Sequence, residues 1–75
     1  MSELSKIRAT MAMLQAVHDL VVREGEIYIN DVSRKLRISK YKLWKERELF
    51  NDLFEDLYFD EDGYIYRIRR VRRNE

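Results

Sequence analysis

Along the first third of the chain, Leu4, Ile7, Met11, Leu14, Val21 and Val22 recur at helical spacing with His18 in the same phase, which predicts a helix from Ser5 to Glu24. Gly25 supplies its C-terminal stop. Glu26-Ile27-Tyr28-Ile29 is too short for a helix and rich in β-formers, so it predicts a short strand. Asn30 follows as an N-cap, and Asp31 in the first turn with Val32 and Leu36 four apart predicts a short helix over 31–36. Ser39 caps a third helix running from Lys40 to about Asp56, with Leu43, Phe50, Phe54 and Leu57 inward and Leu53 and the Arg47 stem alongside. Residues 57–60 and 63–70 then flank Asp60-Glu61-Asp62-Gly63, a hairpin loop in which Gly63 takes the left-handed position. Val71 to Glu75 form a polar end expected to fray.

Seventy-five residues make one domain. A chain of this size buries only about 60% of its unfolded surface, so its core is small and a partner subunit would help it. Without cysteine, and with one histidine, it lacks the disulfides and metal clusters that staple many small folds. Two glycines and no proline imply neither linker nor repeat. No apolar run approaches the roughly 20 residues that span a bilayer, and the first residues lack the apolar core of a signal peptide, so a cytoplasmic, intracellular protein is expected.

Charge changes the picture more than composition does. Net charge is only +1, yet six cations (Arg34, Lys35, Arg37, Lys40, Lys42, Lys45) and no anion lie between positions 34 and 45. Residues 46–62 reverse this, with eight acids against Arg47, a net of −7. With Leu43 inward at about 100° per residue, Tyr41, Lys45, Glu48 and Asp52 fall on the outer stripe of the third helix, and Lys42 and Trp44 on its shoulders. Only the start of that helix suits a polyanion. There Ser39 and the first backbone N–H groups can meet a phosphate, Lys40, Lys42 and Lys45 can reach the backbone or a guanine edge, and Tyr41 can make polar or stacking contacts. The plainer alternatives are a solvated basic face, with Trp44 packed on a neighbouring element.

The run Asp31-Val32-Ser33-x-x-Leu36-x-Ile38-Ser39-x-x-x-Leu43 resembles the helix-turn-helix core of bacterial and archaeal transcription factors. Ser33 stands where the two helices cross, and Leu36, Ile38 and Leu43 lock the crossing. The preceding strand and following hairpin extend the resemblance to the winged helix-turn-helix superfamily, in particular the compact regulators of archaea and of their viruses and plasmids. It implies a mainly α, α+β fold whose third helix enters the major groove beside a hairpin wing. One position departs from the family: the turn commonly holds glycine, and this chain has Arg37. A left-handed backbone there costs arginine roughly 1 kcal/mol. Either the turn is built differently, or the strain is accepted for a phosphate contact.

The wing tip is acidic at Asp60, Glu61 and Asp62, where such proteins often carry a basic side chain, so the tip is expected to stand off DNA. Arg67 and Arg69 are equally suited to pairing with the acidic third helix or to DNA, whereas Arg70, Arg72 and Arg73 are candidates for phosphate binding. On the first helix, Ala9, Met13, Ala16 and Leu20, with Ala12 close by, form a second apolar stripe that a second copy could cover about a two-fold axis. Alternatively these are simply good helix formers and scattered apolar residues. His18 reads as a packed side chain, no nucleophile motif or glycine-rich phosphate loop is present, and the carboxylates lack calcium-loop spacing. The expectation is therefore a non-enzymatic, cofactor-free regulator that binds double-stranded DNA sequence-specifically as a homodimer. A winged-helix protein-interaction module and a sequence-independent architectural protein are the alternatives.

Overall fold

Over residues 3–68, which the computed structural model describes, helices predominate and pack on a small antiparallel sheet, an α+β arrangement. The elements in order are α1 (Glu3–Glu24), β1 (Glu26–Tyr28), α2 (Ile29–Leu36), α3 (Lys40–Lys45), α4 (Arg47–Leu53), β2 (Leu57–Phe59) and β3 (Tyr64–Arg67). The expected end of the chain, Val71 to Glu75, lies outside the described residues.

Helix α1 ends as its sequence implies, with Gly25 at φ 98° and its N–H donating to the Val21 carbonyl at 2.7 Å. Its inward face differs from the expected one. Leu14, Val17, Leu20 and Val21 are buried, while Leu4, Ile7, Met11 and Val22 are exposed. The helix is about 33 Å long, and the buried side chains all lie in its second half, against α2, β1 and β3. Because both a helix and strands pack there, the buried arc is wide enough to take in Leu20, which is only 2% exposed and cannot belong to an outward stripe.

Strand β1 runs directly into α2, which begins two residues earlier than expected. Ile29 is the first helical residue, and Tyr28, extended at φ −90° and ψ 147°, precedes it without a side-chain cap, so Asn30 is not the N-cap. The physical reason is tertiary: the buried Ile29 donates its N–H to the Gly63 carbonyl at 2.8 Å, which does the work of a cap. Gly63 itself has φ 97°, and a Cβ there would lie 3.0 Å from Ile29 Cγ2 and 3.1 Å from a Tyr28 ring carbon. Both conformation and space demand glycine.

The long third helix is instead two short ones. At Glu46, φ −99° and ψ 13°, the amide is shared between the carbonyls of Lys42 (3.3 Å) and Leu43 (3.2 Å), and the ladder resumes with Phe50 N–H to Glu46 O at 2.9 Å. Helix α4 also stops at Leu53, three residues before the expected end, because Phe54 turns extended to send the chain into β2. Leu57 consequently anchors a strand, and Leu53 is exposed. The sheet order is β1-β3-β2, and the row Ile27, Ile65, Phe59 crosses all three strands on the core side.

Candidate nucleic-acid interface

The turn between α2 and α3 settles the question raised by Arg37. It adopts φ 56° and ψ 46°, the one non-glycine residue with positive φ among the described residues, so the left-handed turn is built and arginine carries its strain. Two donors converge on the Ser33 carbonyl, the Arg37 N–H and the Ile38 N–H at 3.2 Å. Ser39 then starts α3 as expected, accepting the Lys42 N–H on Oγ at 3.1 Å. Its hydroxyl oxygen is thus engaged in the cap.

Buried Leu43 fixes the rotation of α3 and leaves Lys40, Tyr41, Lys42 and Lys45 exposed, Tyr41 most of all at 77%. Arg37 is exposed as well, and among the described residues no ion pair involves Arg37, Lys40, Lys42 or Lys45. Arg34 and Lys35 differ. Arg34 pairs with Asp31 at 2.7 Å and Lys35 with Glu24 at 3.7 Å, and both line a groove that also holds Glu26, Tyr28 and Tyr64. Exposed pairs of this kind are worth at most about 1 kcal/mol, so they neutralise the surface locally without locking it. Six cations unopposed in sequence become four unopposed in space among the described residues.

The hairpin is bolted to α4 by Asn51, which the sequence did not single out, and by Arg47, whose stem was expected alongside the inward face. Asn51 pairs with Phe59 as a neighbouring strand would, its Nδ2 donating to the Phe59 carbonyl at 3.0 Å and its Oδ1 accepting the Phe59 N–H at 2.8 Å. It thereby closes the free edge of β2 at that residue. Arg47 Nε donates to the Phe59 and Asp60 carbonyls at 2.9 and 3.2 Å. Trp44 packs its ring 5.3 Å from that of Phe59, as a shoulder residue against the hairpin. Asp60 has a local role: its Oδ1 accepts from the Asp62 and Tyr64 amides, both at 2.9 Å, and so shapes the acidic tip. Arg67 is exposed and makes no ion pair among the described residues, so the pairing with the acidic helix is not formed. Arg69, Arg70, Arg72 and Arg73 lie outside the described residues.

His18 is a packing residue with its nitrogens engaged, Nε2 with Asp56 at 3.0 Å and Nδ1 with Asp19 at 3.3 Å, and its ring 4.5 Å from that of Phe54. A hydrogen bond from Gln15, reinforced by His18, holds the Asp19 carboxyl below its ordinary 3.8. Of the second stripe on α1, Ala9 and Ala12 are exposed, Met13 and Ala16 half-buried and Leu20 buried. Ala9, Ala12 and Met13 share a cleft with Arg37, Ile38, Ser39 and Lys42. That stripe therefore borders the basic turn.

No protein-family model matches the chain, and no curated protein or solved structure matches it either. Among the described residues, no helix is long and apolar enough to cross a membrane, and no group of three His, Cys, Asp or Glu side chains converges to hold a metal ion.

Proposed function

We propose that this domain is a winged helix that binds double-stranded DNA and regulates transcription by occupancy, with the turn after α2 and the start of α3 facing the major groove. One observation carries the reading: Arg37, Lys40, Lys42 and Lys45, with Tyr41 among them, are displayed on a turn and helix anchored by buried Leu43, without a carboxylate partner among the described residues. Helix α3 has six residues and is about 9 Å long, so it can address only a few base pairs. Phosphate contacts from the cations supply most of the affinity, and Tyr41 with one or two lysines supplies the base readout. The hairpin acts as a brace, held to α4 through Asn51 and Arg47, with its acidic tip off the DNA.

The exposed acids Glu48, Asp52 and Glu55 on and after α4 favour a second reading, a winged-helix module that docks on a basic protein. Selection from a random duplex pool separates the readings. A regulator enriches a defined site and loses it when Lys42 and Lys45 are changed to Glu in a domain that remains folded. Equal retention of all duplexes marks an architectural protein, and retention of none marks the interaction module.

A further inference from the structure

Helix α1 carries an apolar face that nothing among the described residues covers. Between Glu3 and Met13 no residue is buried. Leu4, Ile7 and Met11 follow one another at i, i+3 and i+7 and are 59%, 54% and 41% exposed, while Leu49 and Leu53 of α4 are each 38% exposed. Ile7, Met11 and Leu49 line one open cavity, rimmed by Glu3, Lys6, Thr10 and Glu46. A helical overhang of about three turns is marginal alone in water, and its regular apolar spacing is that of a packing face.

We infer that this face is the homodimer interface, two copies packing α1 against α1 about a two-fold axis. Three observations identify the occupant as a second copy. The five side chains expose on the order of 400 Å² of apolar surface, about half of the roughly 800 Å² per partner that a standard interface buries, and the rim residues with the Lys6 stem extend it. The rim carries both signs of charge, Lys6 on α1 and Glu46 at the α3–α4 junction, neither in an ion pair among the described residues. An isologous contact needs such self-complementarity, and it sets Lys6 of each copy opposite Glu46 of the other. Finally, the other candidate stripe is in the wrong place. At about 100° per residue, Leu4, Ile7 and Met11 centre roughly 160° from Ala9, Ala12, Met13 and Ala16, and the latter flank the cleft of Arg37, Ser39 and Lys42. Association through the α4-side flank leaves that cleft free.

Only the need to leave that cleft free rests on the proposed DNA reading, and because the test contains no DNA its failure is distinguishable from the failure of that reading. Sedimentation equilibrium of the full chain at tens of micromolar is expected to give a dimer. Ile7→Lys should give a monomer that still melts cooperatively and loses no more helical circular dichroism than fraying of the three-turn overhang accounts for, since Ile7 is not among the residues packed against the core, and Ala9→Lys on the opposite flank should stay dimeric. Lys6→Glu and Glu46→Lys should each weaken the dimer about tenfold, and mixing the two variants should restore it, because the heterodimer regains opposite charges at both contacts. A monomeric wild type, a dimeric Ile7→Lys, a monomeric Ala9→Lys, or no restoration on mixing would overturn the arrangement.

Discussion

Replacing Arg37 with glycine should make the domain more stable and a weaker DNA ligand at the same time. The residue sits at φ 56° and ψ 46°, where an L side chain costs roughly 1–2 kcal/mol and glycine nearly nothing. Glycine also loosens the unfolded chain, which returns about 0.4–1 kcal/mol of that gain. The net expectation is a stabilisation of about 0.5–1 kcal/mol, or a rise in Tm of roughly 2–8 °C for a domain this small. Arg37→Ala is the necessary control. It removes the guanidinium and any repulsion with Lys42, which lines the same cleft, but keeps a Cβ in the left-handed conformation. The difference between the glycine and alanine variants in urea or thermal melts therefore reports the backbone strain less the unfolded-chain entropy of glycine, and the glycine variant should be the more stable. DNA affinity should fall equally in both, and each should reduce the salt slope by about 0.9, the signature of one lost phosphate contact. Identical melts for the two variants would refute the strain argument, and wild-type affinity in both would refute the phosphate contact.

Two further outcomes follow from the brace and from α1. Asn51→Ala removes both hydrogen bonds to the Phe59 backbone, leaving its N–H without that acceptor while Arg47 still serves the carbonyl. It should destabilise by about 1–3 kcal/mol in urea and speed amide exchange at Phe59; an unchanged melt would show that the edge is closed by other means. Asp19, whose folded pKa lies below 3.8, contributes stability that is present above that unfolded value and is lost as pH falls through the folded one. Since the Gln15 hydrogen bond is the largest cause, Gln15→Ala should move the NMR titration of Asp19 upward toward 3.8, and a titration that stays put would contradict the assignment.

Local signals in the sequence were read correctly where the residue itself decides the conformation. Gly25 ends α1, Ser39 caps α3 and Gly63 turns the hairpin as expected, and of the two alternatives open for Arg37 the strained left-handed turn is the one built. Misreadings arose where a tertiary partner decides. Asn30 lost the cap to the Gly63 carbonyl, a group more than thirty residues away in sequence. The apolar phase of α1 correctly grouped Leu4, Ile7 and Met11 but could not reveal that the domain covers only the second half of the helix, so those residues are exposed and Leu20 is buried. Arg34 and Lys35 looked unopposed because Asp31 lies just outside the basic run and Glu24 on another helix. Asn51 carried no signal at all: a single amide among acids and apolar residues acquires its role only when β2 arrives beside it.

The central claim, that the exposed cations around α3 neutralise DNA phosphates, is tested most directly by the affinity for duplex DNA as a function of salt. Contacts from Arg37, Lys40, Lys42 and Lys45 predict a plot of log K against log[salt] with a slope of roughly −3 to −4, shallowing toward −1 in a folded Lys40→Glu, Lys42→Glu, Lys45→Glu variant. A flat plot for the wild type, or the same slope in the charge-reversed variant, would contradict the account.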